Sequence, residues 1–223
     1  MSAAPMLVAA LVVVGLVLAL GACGAGGAKE EAKARSLPLY PTAKALRPGE
    51  YHTVKFKPPL SFKVGKGWSN SENQLSDYIN LEQGDIGNLQ FANVKEVFKP
   101  GTTNVVEAPK DLLGWLQHHP YLKTSKPQPV TVGGVKGEQL EVLVDHLPKD
   151  PNGYCGSDCL DIFNLSGGDE LGYFKEVNKR KVIVLEDVKG DTVVIWFAGA
   201  PDTFDKFAPK AQKVIDSVKW SGS

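Results

Sequence analysis

From Tyr51 to Phe197 the apolar residues return at every second position, in runs mostly too short to be helices. A period of two puts alternate side chains on opposite faces of an extended chain, so each run has one face to bury. Tyr51–Phe56, Leu60–Val64, Tyr78–Leu81 and Leu89–Phe98 read as strands in the first half. Pro129–Val132, Val135–Val144, Cys159–Leu165, Gly172–Val177, Lys181–Leu185 and Thr192–Phe197 follow in the second. Turn residues separate them, at Gly65-Lys-Gly67, Gly84 to Gly87, Gly133-Gly134 and Lys189-Gly-Asp191. Two stretches break the period. Leu112, Leu113 and Leu116, with Trp115 beside them, lie at helical spacing after Pro109 and before Pro120, so 111–118 is a short helix. Phe204, Phe207, Ala208, Ala211, Val214, Ile215 and Val218 recur at steps of three and four; Asp202 can cap this helix and Pro209 either kinks or restarts it. The order predicts an α+β fold, an antiparallel β-sheet with packed helices.

The N-terminus is a separate object, because no charged side chain occurs before Lys29. Met6 to Leu20 is apolar apart from Gly15, and its length of about 22 Å falls short of a bilayer core of roughly 30 Å. That length suits a signal-peptide core. Leu20-Gly-Ala-Cys23 follows and resembles the lipobox of bacterial lipoproteins: a branched residue, two small ones, then a cysteine that takes diacylglycerol and becomes the new N-terminus. The segment before the apolar run, MSAAP, departs from the pattern in having no Lys or Arg. The alternative is an uncleaved anchor helix extended to about Ala28. Either way the remainder is tethered outside the cytoplasm, at the bacterial cell membrane, by a lipidated Cys23 or by that helix. Residues 1–22 are thus expected to be a signal peptide. Residues 23–48, from the lipidated cysteine through 25 residues of small, charged and proline-containing sequence, read as a tether reaching about 25–30 Å. Residues 49–223 form the domain.

With Cys23 assigned to lipid, Cys155 and Cys159 remain as an even pair in an exported, oxidising compartment. A disulfide between them is expected to shape the turn-rich segment 152–160. Redox and metal roles are the alternatives, although three intervening residues differ from the two of a Cys-x-x-Cys motif. Charge balance, 25 Lys+Arg against 25 Asp+Glu, excludes the basic surplus of a general nucleic-acid binder.

Phe56-Lys-Pro-Pro-Leu-Ser-Phe-Lys-Val-Gly-Lys-Gly-Trp68, Trp115-Leu-Gln-His-His-Pro-Tyr-Leu122, Val130-Thr-Val-Gly-Gly-Val-Lys-Gly137 and the closing helix from Phe204 to Trp220 together resemble exported actinobacterial-type lipoproteins with a PsbP-like, LpqN-like α/β/α sandwich. The resemblance covers most of residues 50–220. It implies binding, either of a protein partner in the envelope or of a small apolar ligand, and carries over no catalytic residue.

The sequence contains no Gly-x-Ser-x-Gly elbow, Ser-x-x-Lys, His-Glu-x-x-His or Walker-type loop. It gives no reason to expect an enzyme, a cofactor or a metal. His118 and His119 read as a solvated helix end, since neighbours on a helix point about 100° apart and seldom share an ion. Lys175, Lys179, Arg180 and Lys181 read as a solvated basic turn, with headgroup or polyanion binding as the other use. Trp68, Trp115 and Trp196, with Tyr78 and Tyr121, could line an apolar groove or fill the core. Trp68, after a Gly-x-Gly turn, is the candidate exposed contact, with Trp115 and Tyr121 beside the groove. The acidic loop 145–161, with His146, Asp150, Asp158 and Asp161, is the alternative surface and would belong to an envelope enzyme or metal binder.

Overall fold

The computed structural model describes residues 34–38, 44–70, 75–149, 153–168 and 170–221. In chain order the strands begin with β1 (Arg35–Ser36), β2 (Lys44–Ala45), β3 (Gly49–His52), β4 (Leu60–Val64), β5 (Trp68–Asn70), β6 (Tyr78–Gln83), β7 (Asn88–Asn93), β8 (Glu96–Phe98) and β9 (Val105–Glu107). Helix α1 (Leu112–Gln117) follows, then β10 (Leu122–Thr124), β11 (Gln128–Val132), β12 (Val135–Val144) and β13 (Cys159–Leu165). A 3-10 turn over Ser166–Gly168 leads into β14 (Glu170–Lys175), β15 (Lys179–Val188) and β16 (Asp191–Gly199), and the chain closes with α2 (Phe204–Ile215) and β17 (Lys219–Trp220).

Among the described residues these strands form three sheets. A nine-stranded sheet runs β10-β12-β15-β16-β7-β6-β5-β2, with β11 also on β12, and its pairings are antiparallel. Alternation along its strands gives it two apolar faces. Leu89, Phe91, Ile183, Ile195 and Phe197 point to one face, where α2 and the sheet β1-β3-β4-β17 cover them. Ala92, Val182, Val184, Val194 and Trp196 point to the other, covered by α1 and the sheet β14-β13-β8-β9. The fold is therefore sheet-rich. The expected α/β/α sandwich is corrected in this respect: helices of six and twelve residues, about 9 and 18 Å long, are too short to cover a nine-stranded sheet, and smaller sheets do most of that work.

Both helices lie where the spacing placed them. In α1 the Asp111 carboxylate accepts a hydrogen bond from the Gly114 N–H at 2.7 Å, while Leu112, Leu113 and Leu116 are buried. The cap of α2 is Thr203 rather than Asp202, and the Thr203 hydroxyl donates to the Ile86 carbonyl at 3.1 Å, tying the helix start to the β6–β7 turn. Pro209 lies inside a continuous helix. Three further expectations change. The domain begins before residue 49, since β1 pairs with β3, β2 pairs with β5, and Leu37 and Leu46 are buried; part of the expected tether is sheet. The run 89–98 is two strands in different sheets, β7 and β8. Glu170–Lys175 and Lys179–Val188 extend or shift the expected strands by a few residues.

Candidate functional site

The face of the central sheet that carries Trp196 changes character along its strands. Register places Val184, Val194, Ala92 and Tyr78 in one row across β15, β16, β7 and β6. The next row is Val182, Trp196, Gln90 and Asn80, and the one after that is Arg180, Ala198, Asn88 and Glu82. Three rows thus run from apolar to polar on one face. The second small sheet and α1 cover the apolar rows; beyond them an open cleft of about 410 Å³ remains. Glu82, Asn88, Gln90, Trp196, Ala198 and Arg180 are its floor. Tyr173 and Lys175 of β14, Val177 and Asn178 of the following turn, and Asp158 form the opposite wall, and the β6–β7 turn with Gly199 and Ala200 closes one end.

Local chemistry sets each wall. The β6–β7 turn packs tightly against β16, for a Cβ at Gly87 would stand 2.7 Å from the Ala198 carbonyl oxygen and would also meet the Phe207 ring. Asp158 lies in the loop closed by the Cys155–Cys159 disulfide, whose Cα atoms are 6.0 Å apart. The Asp161 carboxylate accepts hydrogen bonds from the Tyr154 and Cys155 N–H groups at 2.5 and 3.1 Å, and the Asp158 carbonyl accepts one from the Glu176 N–H at 2.9 Å. The loop is thus fixed at both ends.

Arg180 is the unusual group. It is 2% exposed, and its guanidinium carbon lies 4.5 Å from the Phe174 ring centroid. Nη2 donates to the Lys175 carbonyl, while Nη1 has no hydrogen-bond partner among the described residues. No carboxylate among the described residues forms an ion pair with it; the ion pairs there involve Lys63, Lys219 and His146. Burial lowers its pKa to about 9. The expected solvated basic turn is corrected here: Lys175 is exposed, but Arg180 turns inward with Val182 and Val184, whose parity it shares.

The candidate contact residues are not brought together. Trp68 is 3% exposed in β5, its ring 5.9 Å from that of Phe207, so it is a core side chain and not an exposed contact. Trp115 and Tyr121 lie on the opposite side of the central sheet, half-buried against the second core. There the rings of Trp115, His119, Tyr121 and His146 follow one another at 5.0, 6.0 and 5.2 Å in a chain of edge contacts. His119 departs from the expected solvated helix end: it is 4% exposed, Nδ1 accepts a hydrogen bond from the Tyr121 N–H at 3.4 Å, and burial lowers its pKa from 6.5 to about 4. His118 stays at the surface, with Nδ1 2.7 Å from the Gly114 carbonyl oxygen. Among the described residues no three His, Cys, Asp or Glu side chains are grouped to hold a metal ion. Cys23 and Asp150 lie outside the described residues, and among those described no helix is long and apolar enough to cross a membrane.

No protein-family model and no curated protein matches the sequence. Solved structures do. The chain is similar to cyanobacterial PsbP (CyanoP) from Synechocystis sp. PCC 6803, with 11% identity and a TM-score of 0.42 over 82% of this chain and 99% of that one. It is similar to LpqN, a protein involved in cell envelope biogenesis of Mycobacterium tuberculosis, with 12% identity and a TM-score of 0.32 over 80% and 90% of the two chains. It is also similar to the T6SS immunity protein TplEi of Pseudomonas aeruginosa, with 13% identity and a TM-score of 0.32 over 74% of this chain and 45% of that one. PsbP and LpqN, which the sequence motifs resemble, are both among these solved structures.

Proposed function

We propose that this chain is a lipid-anchored, extracytoplasmic binding module that holds a small molecule or a segment of an envelope partner without catalysing a reaction. The observation that carries this reading is the polar row Arg180, Asn88 and Glu82 at the end of a sheet face that runs from apolar to polar. A buried face gains stability from apolar side chains and loses it to polar ones, so a polar end opening into a cleft marks a place kept for something else. The lipobox at Cys23 and the oxidised Cys155–Cys159 pair support the location. The acidic loop favours shaping over chemistry, since Asp161 is occupied by two backbone N–H groups.

The test uses the acylated protein in its own membranes. A photo-crosslinker in place of Val177, which is 66% exposed at the cleft rim, should capture a discrete ligand or protein, and native mass spectrometry of the extracted protein should find the same species. No crosslink from that position, together with a bare acylated monomer, would sink the reading.

A further inference from the structure

We propose that the cleft is a monocarboxylate site in which Arg180 anchors the acid group and the rim holds an apolar body. The inference rests on the binding-module reading and names the chemistry of its ligand. A guanidinium retained only for the fold would be expected to meet a carboxylate, because a buried charge without a counter-ion is unfavourable. Among the described residues Arg180 has none; its Nη1 is buried without a hydrogen-bond partner, and its side chain is one of those that line the open cleft. An anion supplied from outside completes both the charge and the donor. Arginine suits this role, as its planar fork matches a carboxylate and binds it more strongly than a neutral acceptor.

The rest of the lining narrows the anion. Glu82, Asp85 and Asp158 also border the cleft, so a dianion or polyanion would be repelled, whereas a single negative charge directed at Arg180, with Lys175 nearby, is accommodated. The volume of about 410 Å³ falls in the range of small-molecule sites, roughly 300 to 1,000 Å³. Tyr173 and Val177, 42% and 66% exposed, give the rim apolar surface that an organic body would cover. Together these features select a compact organic acid over a phosphate ester or an uncharged apolar molecule.

The probe is 3-phenylpropionate, titrated calorimetrically into the purified acylated protein in non-ionic detergent, with empty micelles as the blank. The acid should bind, and 3-phenylpropionamide, of the same shape without the charge, should bind at least about tenfold more weakly. Inorganic phosphate should not compete. Arg180→Gln should abolish binding of the acid, and Arg180→Lys should weaken it. Equal binding of acid and amide overturns the proposal without requiring any variant to fold. It is equally overturned by undiminished binding to a folded Arg180→Gln protein, or by no binding of the acid at about 10 mM. If the Val177 crosslinker captures the same species from wild type and Arg180→Gln, the carboxylate site falls while the binding module stands.

Discussion

Replacing Arg180 by methionine should make the unliganded domain more stable, although it removes a hydrogen bond and a ring contact. Burial lowers the folded-state pKa of this group to about 9, and at about 1.36 kcal/mol per unit the difference from an ordinary guanidinium is on the order of 5 kcal/mol. Both folded and unfolded chains hold the proton at pH 7, and as pH rises the folded state releases it first. The charged form is therefore the one that burial disfavours, and below about pH 9 the whole penalty applies. Against it stand the cation–π contact with Phe174, about 2 kcal/mol when desolvated, and the hydrogen bond to the Lys175 carbonyl, about 2 kcal/mol for a charged donor. What remains is on the order of 1 kcal/mol unfavourable to folding. Methionine keeps an unbranched apolar stem over the Phe174 ring and adds a sulfur–aromatic contact. Urea unfolding at pH 7, followed by tryptophan fluorescence, should show a gain of about 1 kcal/mol with unchanged m, or a Tm rise of about 2–4 °C. The advantage over wild type should shrink as the pH is raised above 9, where wild-type Arg180 begins to lose its proton in the folded state. A loss of 1 kcal/mol or more at unchanged m would refute the reasoning, because it would mean that the guanidinium is compensated within the fold.

The remaining perturbations test other parts of the reading. Cys23→Ala should release the protein from the membrane fraction, and a variant that still sediments with membranes would point to the uncleaved helix. His119, whose pKa burial depresses from 6.5 to about 4, contributes stability that is fully present above pH 6.5 and is lost as pH falls through 4, on the order of 3 kcal/mol; a His119→Gln protein should show a flatter stability profile over that window, and an identical slope would contradict it. Trp68→Ala should destabilise the domain by about 3–5 kcal/mol through a cavity beside Phe207, with chemical denaturation as the measure. A near-neutral effect would return Trp68 to the surface.

The elements that the sequence made legible are those whose period differs from their surroundings. The leucines of α1 and the Phe204-to-Ile215 stripe of α2 stand out from alternating strands, and both helices lie within a few residues of the expected limits. Elements that share a period with their neighbours do not stand out. Ala92, Val94 and Val97 all enter the same core, so burial continues across the break between β7 and β8 although the chain changes sheets there, and only the step of three from Val94 to Val97 marks the change. β1 and β2 are two residues each, and their anchoring in the core falls to single apolar residues, Leu37 and Leu46. Trp68 departs from its expected exposure for a different reason. A flexible-looking Gly-x-Gly turn says where the chain bends, not which face the next side chain takes, and β5 turns that face toward Phe207.

The cleft was hidden because its residues look ordinary in their own segments. Lys179-Arg-Lys181 has the appearance of a solvated charge run, and Asn88 and Gln90 that of a turn leading into a strand. Parity was the available signal: Arg180 shares its phase with Val182 and Val184, and Asn88 and Gln90 share theirs with Ala92, so all three polar residues belong to the core-facing side of strands whose later residues are apolar. One such residue could be a strand end fraying into solvent. Polar residues at the same end of β15, β7 and β6, aligned by register into rows with Ala198 and Trp196, form a surface. The same alignment explains why stability and binding should pull in opposite directions here. The substitutions that would extend the apolar core along this face are the ones that would erase the cleft, so selection for binding is what would keep Arg180 in place against its cost to the fold.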